Sequence, residues 1–243
     1  MNREHILFIS DLHLEPRRPN ITAAVQEFLV TKGQECEKLF LLGDIFELWL
    51  GDDDSSELSL AIAAALRKLA SNGVQIFMMR GNRDFLLGDV YANQCGAVLL
   101  GDTYQLETSL GSIQLLHGDT LCTDDHDYQE FRTLTRETSW QTEFLNQPLE
   151  ARRAFAARAR AKSKEATAEK SNLIMDVNND AVLKIFKDSG SELIIHGHTH
   201  RPAKHLNILG PGTGTRVVLG DWDRKGWYAE IKNKNLTLSS FLI

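Results

Sequence analysis

Asp11 and His13 in "SDLHL", and His198 and His200 in "HGHTH", are pairs of metal-type donors set two residues apart. Where the chain is extended, a spacing of two sends both side chains to the same side, so each pair can grip one region of space. Single donors lie between the pairs: Asp44 in "LGDIFELW", Asn82 in "RGNRD" and His117 in "LLHGD". Carboxylates, an amide and imidazoles together suit Mn²⁺, Fe²⁺ or Zn²⁺, whereas a cage of oxygens alone would suit Mg²⁺ or Ca²⁺. Seven donors are too many for one catalytic ion. Two ions roughly 3.5–4 Å apart, sharing a bridging carboxylate, would use them all and leave positions for a water and for phosphate oxygens.

Each donor follows a short apolar run. "ILFISDLHL" (6–14), "KLFLLGDIFELWLG" (38–51), "VQIFMMRGNRD" (74–84), "GSIQLLHGD" (111–119) and "SELIIHGHTHRP" (191–202) read as buried strands with polar C-terminal ends. Helical spacing marks "AAVQEFLV" (23–30) and "ELSLAIAAALRKLASNG" (57–73), the second closed by Gly73. Alternating strands and helices argue for an α/β sandwich, and the segment from Arg216 to the end predicts further strands packing at its edge. Ligands of open α/β sheets bind beyond the carboxyl ends of the strands, so the five clusters are expected to meet in one crevice.

Between about 125 and 172 the rhythm becomes wholly helical, which predicts an insertion over that crevice. Its second half carries Arg152, Arg153, Arg158, Arg160, Lys162, Lys164 and Lys170 against few acids. Phe131, Leu134, Trp140, Phe144, Leu145 and Phe155 are either the packed faces of these helices or the lining of an apolar channel, and Trp49 is open to the same two readings. In the channel reading, the basic residues face anionic lipid.

The 243 residues are 42% hydrophobic and 25% charged, an ordinary composition for one soluble domain with an insertion. A net charge of −6 argues against a general nucleic-acid binder, which needs an excess of Lys and Arg to neutralise phosphates. Cys36, Cys95 and Cys122 are odd in number and widely spaced, so neither a disulfide framework nor a thiolate zinc site is expected, and a reducing cytoplasm is the simplest compartment. No apolar stretch approaches the roughly 20 residues needed to span a bilayer, and "MNREHILFISDLH" leads straight into a strand instead of a signal-peptide core.

The five blocks, in their order and spread, resemble those of the calcineurin-like metallophosphoesterases. That resemblance implies a β-sandwich flanked by helices, with residues 1–125 and 173–243 forming the core and 126–172 a helical cap. It further implies Asp11, His13 and His200 around one ion, Asp44 bridging, and Asn82, His117 and His198 around the other. A lone Asp-x-His pair is usually a cap or a surface arrangement; five donor clusters at successive strand ends are not explained that way. His5, His126 and His205 fit no block and are expected at the surface, and "GDDDSSE" (51–57) reads as a solvated loop with charge at a helix N-terminus.

In the general family pattern a histidine follows the asparagine and assists the leaving group; here Arg83 stands in its place. A guanidinium does not deprotonate, but it can clamp phosphate through two N–H donors, which favours a diphosphate whose leaving group is itself a phosphate. With "HGDTLCTDD", the insertion and "IMDVN" (174–178), the chain resembles the members of the family that hydrolyse UDP-linked diacylated glucosamine lipid. The implied reaction cleaves the diphosphate with a water activated between two metal ions, Mn²⁺ being the expected metal, and releases UMP and a diacylglucosamine 1-phosphate. The resemblance implies Asp44, Asn82, Arg83 and His198 as catalytic, and Asn82, Arg83, Asp125, Ser163, Thr167, Lys170 and His198 as substrate contacts. It also implies peripheral attachment to the cytoplasmic face of a bacterial inner membrane, without nucleic acid or an obligate protein partner. The competing readings are a broader phosphodiesterase or protein phosphatase, a nuclease of the same fold, and a metal-free scaffold; Arg83 counts against the first and the intact donor set against the last.

Overall fold

The computed structural model describes residues 4–169 and 176–243, apart from the side chains of 162–169. Its first half alternates β1 (His5–Ile9), α1 (Pro19–Val30), β2 (Lys38–Leu42), α2 (Glu57–Ser71), β3 (Gln75–Met79), α3 (Asp89–Cys95) and β4 (Ala97–Leu99). Apolar runs fill these strands because both faces are buried. Ile6 and Phe8 of β1 point to one side and Leu7 and Ile9 to the other; Phe40 and Leu42 of β2 alternate with Leu39 and Leu41 in the same way. The second set packs under α1, α2 and α3, against Val25, Phe28, Leu66 and Cys95. Pro19 starts α1 four residues before the periodicity becomes visible, and a Ser56–Ser59 capping box starts α2. Gly73 follows α2 with φ of 97°.

The second half holds β5 (Thr103–Thr108), β6 (Gly111–Leu116), α4 (His126–Arg136), α5 (Thr138–Leu145), α6 (Leu149–Glu169), α7 (Asn179–Ser189), β7 (Leu193–His196), β8 (Ala203–His205), β9 (Thr215–Val218), β10 (Lys225–Lys232) and β11 (Asn235–Leu242). One sheet runs β11-β10-β1-β2-β3-β4 and the other β5-β6-β7-β9-β8. The first set of β1 and β2 side chains meets Ile113, Leu115, Ile195 and Val217 of the second sheet, forming the core between the sheets. A third cluster, with Val182 and Phe186 of α7, covers the outer face of the second sheet. The result is an α/β sandwich of two sheets with helices outside both. Strands β1 to β4 are parallel, as are β6, β7 and β9, so the polar strand ends of each sheet share an edge. Among the described residues no helix is long and apolar enough to cross a membrane.

Helices α4 to α6 occupy the stretch that propensity marked as helical. Charged side chains dock them. On α4, Arg132 donates to Asp102 at 2.7 Å and to Asp119 at 2.8 Å, and Arg136 donates to the Gly81 carbonyl at 2.9 Å. On α6, Arg152 is only 2% exposed and donates to the Leu50 carbonyl at 2.6 Å and to Asp53 at 2.8 Å, while Arg153 reaches Asp54 at 2.7 Å. Two expectations are therefore corrected. Within 51–57, Asp53 and Asp54 dock α6, since a buried guanidinium requires a counter-charge. Asp52 accepts from the Gly88 and Tyr91 N–H groups at the start of α3, while Glu57 stands in the first turn of α2 as expected. By the same fact Arg152 faces the sandwich and not an external anionic surface, whereas the Arg153 side chain is exposed.

Of the insertion's aromatics, Phe144 is buried and stacks on Trp140 with centroids 4.8 Å apart, Phe155 lies 5.2 Å away, and all three join the helix-side core. Trp49 is likewise buried, against Phe46 and Tyr91. Phe131, Leu134 and Leu145 remain exposed.

The stack of Phe40 between Phe8 (5.3 Å) and Phe77 (4.7 Å) spans the inter-sheet core beneath the polar strand ends. Phe40→Ala should therefore destabilise the fold by about 3–5 kcal/mol. Urea unfolding followed by circular dichroism measures it.

Candidate metal centre

The strand ends do not simply run out into solvent; they curl inward. Asp11, His13, Asp44, His198 and His200 have φ of 54°, 46°, 51°, 68° and 54°, so five of the seven sequence-predicted donors occupy the left-handed region. For residues other than glycine such conformations cost of order 1–3 kcal/mol each, and surrounding structure must hold them. Backbone bonds do so: Asp11 N–H donates to Gly43 O (3.1 Å), His13 N–H to Asp44 O (3.0 Å), Trp222 N–H to Asp11 O (3.0 Å) and Gly197 N–H to His117 O (2.7 Å). Gly43 has φ of 92°, and a Cβ there would sit 2.6 Å from Gly81 N and 2.7 Å from His117 Nδ1. A Cβ on Gly197 would overlap the Asp11 carboxylate and the Ser10 hydroxyl. These two glycines let the two sheets' ends close on one another.

All seven donors come together. Asp11 Oδ1 is 3.4 Å from His200 Nε2, and His200 Nε2 is 3.1 Å from His13 Nε2. Asn82 Oδ1 lies 3.0 Å from His117 Nε2 and 2.9 Å from His198 Nδ1. Asp44 stands between the groups, with Oδ2 3.9 Å from His13 Nε2 and Oδ1 3.6 Å from His117 Nε2. Asp11, His13 and His200 form one compact donor triad, and Asp11, Asp44 and His117 another, each within 4.8 Å. Asp11 is thus shared as well as Asp44.

The donor chemistry fits a divalent cation. His117 Nδ1–H donates to the Leu42 carbonyl at 2.8 Å, and His13 Nδ1–H donates to Glu47 at 2.8 Å. In the neutral rings Nε2 then carries a lone pair, and those lone pairs face Asn82 Oδ1 and His200 Nε2 across the distances above. The two acceptors His117 Nε2 and Asn82 Oδ1, gathered face to face, are reconciled by a cation between them. The charges agree. Although burial works against protonation, Asp44 and Asp11 hold the His117 pKa above its ordinary value, and the Glu47 hydrogen bond and Asp44 do the same for His13. Asp11 is pulled well below the usual carboxylate range, burial being outweighed by His200 and His117. His198 moves the other way, to about 4, through burial and the neighbouring His117.

Three carboxylates behind the donors were not singled out from the sequence. Asp84 is fully buried and accepts from Gly81 N–H (2.7 Å), Ile45 N–H (2.7 Å) and Asp44 N–H (3.2 Å), pinning the β2 turn to the β3 turn. Burial and the Asp44 charge push its pKa upward. Glu47 orients His13, and its pKa falls to about 2, the His13 hydrogen bond and Arg83 outweighing burial. Asp119 accepts from Tyr128 Oη–H at 2.6 Å and from Arg132 at 2.8 Å, and Tyr128 lies over His198 with ring centroids 6.1 Å apart. The sequence contained one signal for them: each lies two or three residues after a donor.

Arg83 donates its backbone N–H to Asp44 Oδ1 at 2.8 Å; its side chain is 37% exposed, with Nη1 3.9 Å from Glu47 Oε1. Asp125 accepts from Tyr128 N–H at 3.1 Å as the N-cap of α4. The side chains of Ser163 and Thr167, and all of Lys170, lie outside the described residues. His126 and His205 are exposed as expected, but His5 is not. It is 4% exposed, with Nε2 2.7 Å from Glu230 and Nδ1 2.8 Å from Glu35 O, because β10 and the turn before β2 cover the start of β1.

The calcineurin-like phosphoesterase family matches residues 4–202. A UDP-2,3-diacylglucosamine hydrolase of Cellvibrio japonicus is 46% identical over 235 residues, covering 97% of this chain and 98% of its own. Its namesake in Hahella chejuensis is 46% identical over 222 residues, 91% of each chain. Another, from Xanthomonas oryzae, is 45% identical over 244 residues, covering 98% of this chain and 99% of its own.

The Asp119 carboxyl is held well below the ordinary carboxylate range, burial being overcome by His117 and Arg132. A group depressed in the folded state stabilises above its unfolded pKa, about 4, and that contribution fades as pH falls. Asp119→Asn should cost about 1–3 kcal/mol at pH 7. Below about pH 4 the difference from wild type should shrink, as thermal melts from pH 7 to pH 3 will measure.

Proposed function

The chain belongs to the calcineurin-like phosphoesterases, and from that membership we propose that it hydrolyses the diphosphate of UDP-2,3-diacylglucosamine in lipid A biosynthesis, giving UMP and 2,3-diacylglucosamine 1-phosphate. The observation that carries the substrate is the likeness, over nearly the whole chain, to hydrolases named for it. An enzyme of this kind is a metal-dependent hydrolase.

Asp11, His13 and His200 would hold one ion and Asn82, His117 and His198 the other, with Asp44 shared between them; the two oxygens that Asp44 turns toward His13 and His117 support this partition. When bound, two divalent ions, Mn²⁺ in our reading, supply Lewis-acid polarisation of the phosphates and a water that is nucleophilic near neutral pH. The chain's own residues do the rest. In the hydrolysis the oxygen of water bonds to one phosphorus and the anhydride P–O bond breaks. The bridging oxygen leaves with the other phosphorus as a phosphate, which is stable as an anion, so no acid is needed; the water's proton passes to solvent, and Arg83 supplies fixed positive charge to the leaving phosphate. Asn82 and His198 reach the same phosphate from the floor of the crevice.

Residues 126–172 act as a cap over residues 1–125 and 173–243. Asp125, and Ser163, Thr167 and Lys170 of the cap, complete the contacts to the substrate. The acyl chains anchor the substrate in the bilayer, so the enzyme works as a peripheral protein on the cytoplasmic face of the inner membrane. The net charge of −6 accords with a role without nucleic acid, and no obligate protein partner is required.

Protein stripped with a chelator should lose hydrolysis of UDP-2,3-diacylglucosamine and regain it with Mn²⁺. A simple aryl phosphodiester should be turned over far more slowly, and equal or better turnover of it would sink the lipid-substrate reading. Arg83→His should lower kcat on the diphosphate by roughly 10²-fold with metal content unchanged. Loss of metal instead would show that Arg83 serves the metal and not the phosphate.

A further inference from the structure

Glu47 makes more connections than a residue that only orients His13. Its Oε2 accepts from His13 Nδ1–H at 2.8 Å, while Oε1 pairs with Arg160 of α6 and lies 3.9 Å from Arg83 Nη1. Its backbone carbonyl also accepts from Arg160, at 2.6 Å. The backbone holds this carboxylate in place, since Leu14 N–H donates to Ile45 O at 3.0 Å and Glu47 N–H to Leu14 O at 3.1 Å. The segment after β1, which carries His13, is thereby zipped to the segment after β2, which carries Glu47. One carboxylate thus faces the donor cluster with one oxygen and the inserted helices with the other.

We infer that Glu47 is a positioning residue that couples metal binding at Asp11, His13 and His200 to the docking of α6. The coupling rests on the metal reading of the centre and not on the identity of the substrate. On the metal side, a carboxylate that accepts from Nδ1–H fixes the imidazole with its Nε2 lone pair toward the cluster and makes that nitrogen more basic; losing such a partner typically weakens metal affinity about 10–100-fold. On the helix side, Arg152 and Arg153 secure the first turns of α6. Arg160 lies eight residues further on, about 12 Å along the axis, where among the described residues Glu47 is its ion-pair partner. Any change in the His13 arrangement reaches Arg160 through a single functional group. Coupling between two events is reciprocal, so metal should tighten the helix as much as the docked helix favours metal.

The test uses the full chain, stripped with a chelator, titrated with Mn²⁺ by calorimetry, and followed by backbone hydrogen exchange with and without Mn²⁺. In wild type, Mn²⁺ should slow exchange at 156–161 and leave 149–153 unchanged. Glu47→Gln should weaken one of the two ions about 10–100-fold and abolish the Mn²⁺-dependent slowing. Arg160→Met leaves the His13 contact in place; it should also abolish the slowing, while weakening Mn²⁺ less than Glu47→Gln does. Wild-type Mn²⁺ affinity in Glu47→Gln overturns the inference, as does slowing at 156–161 that survives in both variants. A wild-type chain that binds no Mn²⁺ overturns the metal reading itself, and the coupling with it.

Discussion

The hydrogen bond from His117 Nδ1–H to the carbonyl of Leu42, 2.8 Å long, joins the two sheets at the level of the donors, and the centre depends on it. Asp11, His13, Asp44 and Asn82 follow strands of one sheet; His117, His198 and His200 follow strands of the other. Facing sheets pack about 10 Å apart, whereas donors that share an ion, each about 2 Å from it, must stand within about 4 Å of one another. Lining up polar residues at two sheet edges cannot close that gap. The loops must bend toward each other, and the left-handed conformations at five donors perform the bend. A second inter-sheet bond, from His198 N–H to the Asp11 carboxylate at 3.0–3.1 Å, locks it. The aromatic and aliphatic core below sets the spacing from which the loops start.

Bending concentrates charge. Asp11, Asp44 and Asp84 are all at most 2% exposed, within a few residues of one another in space. Such a group of anions is unfavourable unless each finds donors or counter-charge. Asp84 takes backbone N–H groups, and Asp11 and Asp44 take imidazoles. Even so, His13 and His117 are drawn toward protonation, a sign that the cluster calls for more positive charge than neutral imidazoles provide. Structure and charge therefore make the same demand, and it is one that divalent cations would meet. The geometry that brings the donors together is also the geometry most in need of an ion.

Much of this was readable in the sequence, for a definite reason. Strand ends with donors at a spacing of two, beside glycine, leave a periodic trace, and all seven donors converge as that trace implied. Long-range partners leave none. Apart from its place two or three residues after a donor, nothing local distinguishes Asp84, which anchors two turns, from a turn-forming aspartate, or Glu47 from a solvated glutamate after a strand. His5 was misplaced because its burial comes from β10, more than two hundred residues away. The acidic stretch at 51–57 and the basic run in α6 each suggested a surface when read alone. Asp53 and Asp54 of the one pair with Arg152 and Arg153 of the other, across about a hundred positions of sequence.

That pairing changes what the basic residues of the insertion can do. Arg132, Arg152 and Arg153 are committed to carboxylates or carbonyls at 2.6–2.8 Å, so moving any of them onto a substrate would leave an acid uncompensated. Arg83 differs. Its side chain is 37% exposed, its carboxylate neighbour is 3.9 Å away, and its backbone is fixed to Asp44 at 2.8 Å. The group is thus anchored at its base and loosely engaged at its tip, beside Asn82. A cation of that kind can turn onto a phosphate without breaking a close ion pair, and the donors that hold metal also hold its main chain. The position of the charge, more than the number of charges, is what the proposed role of Arg83 on a diphosphate rests on.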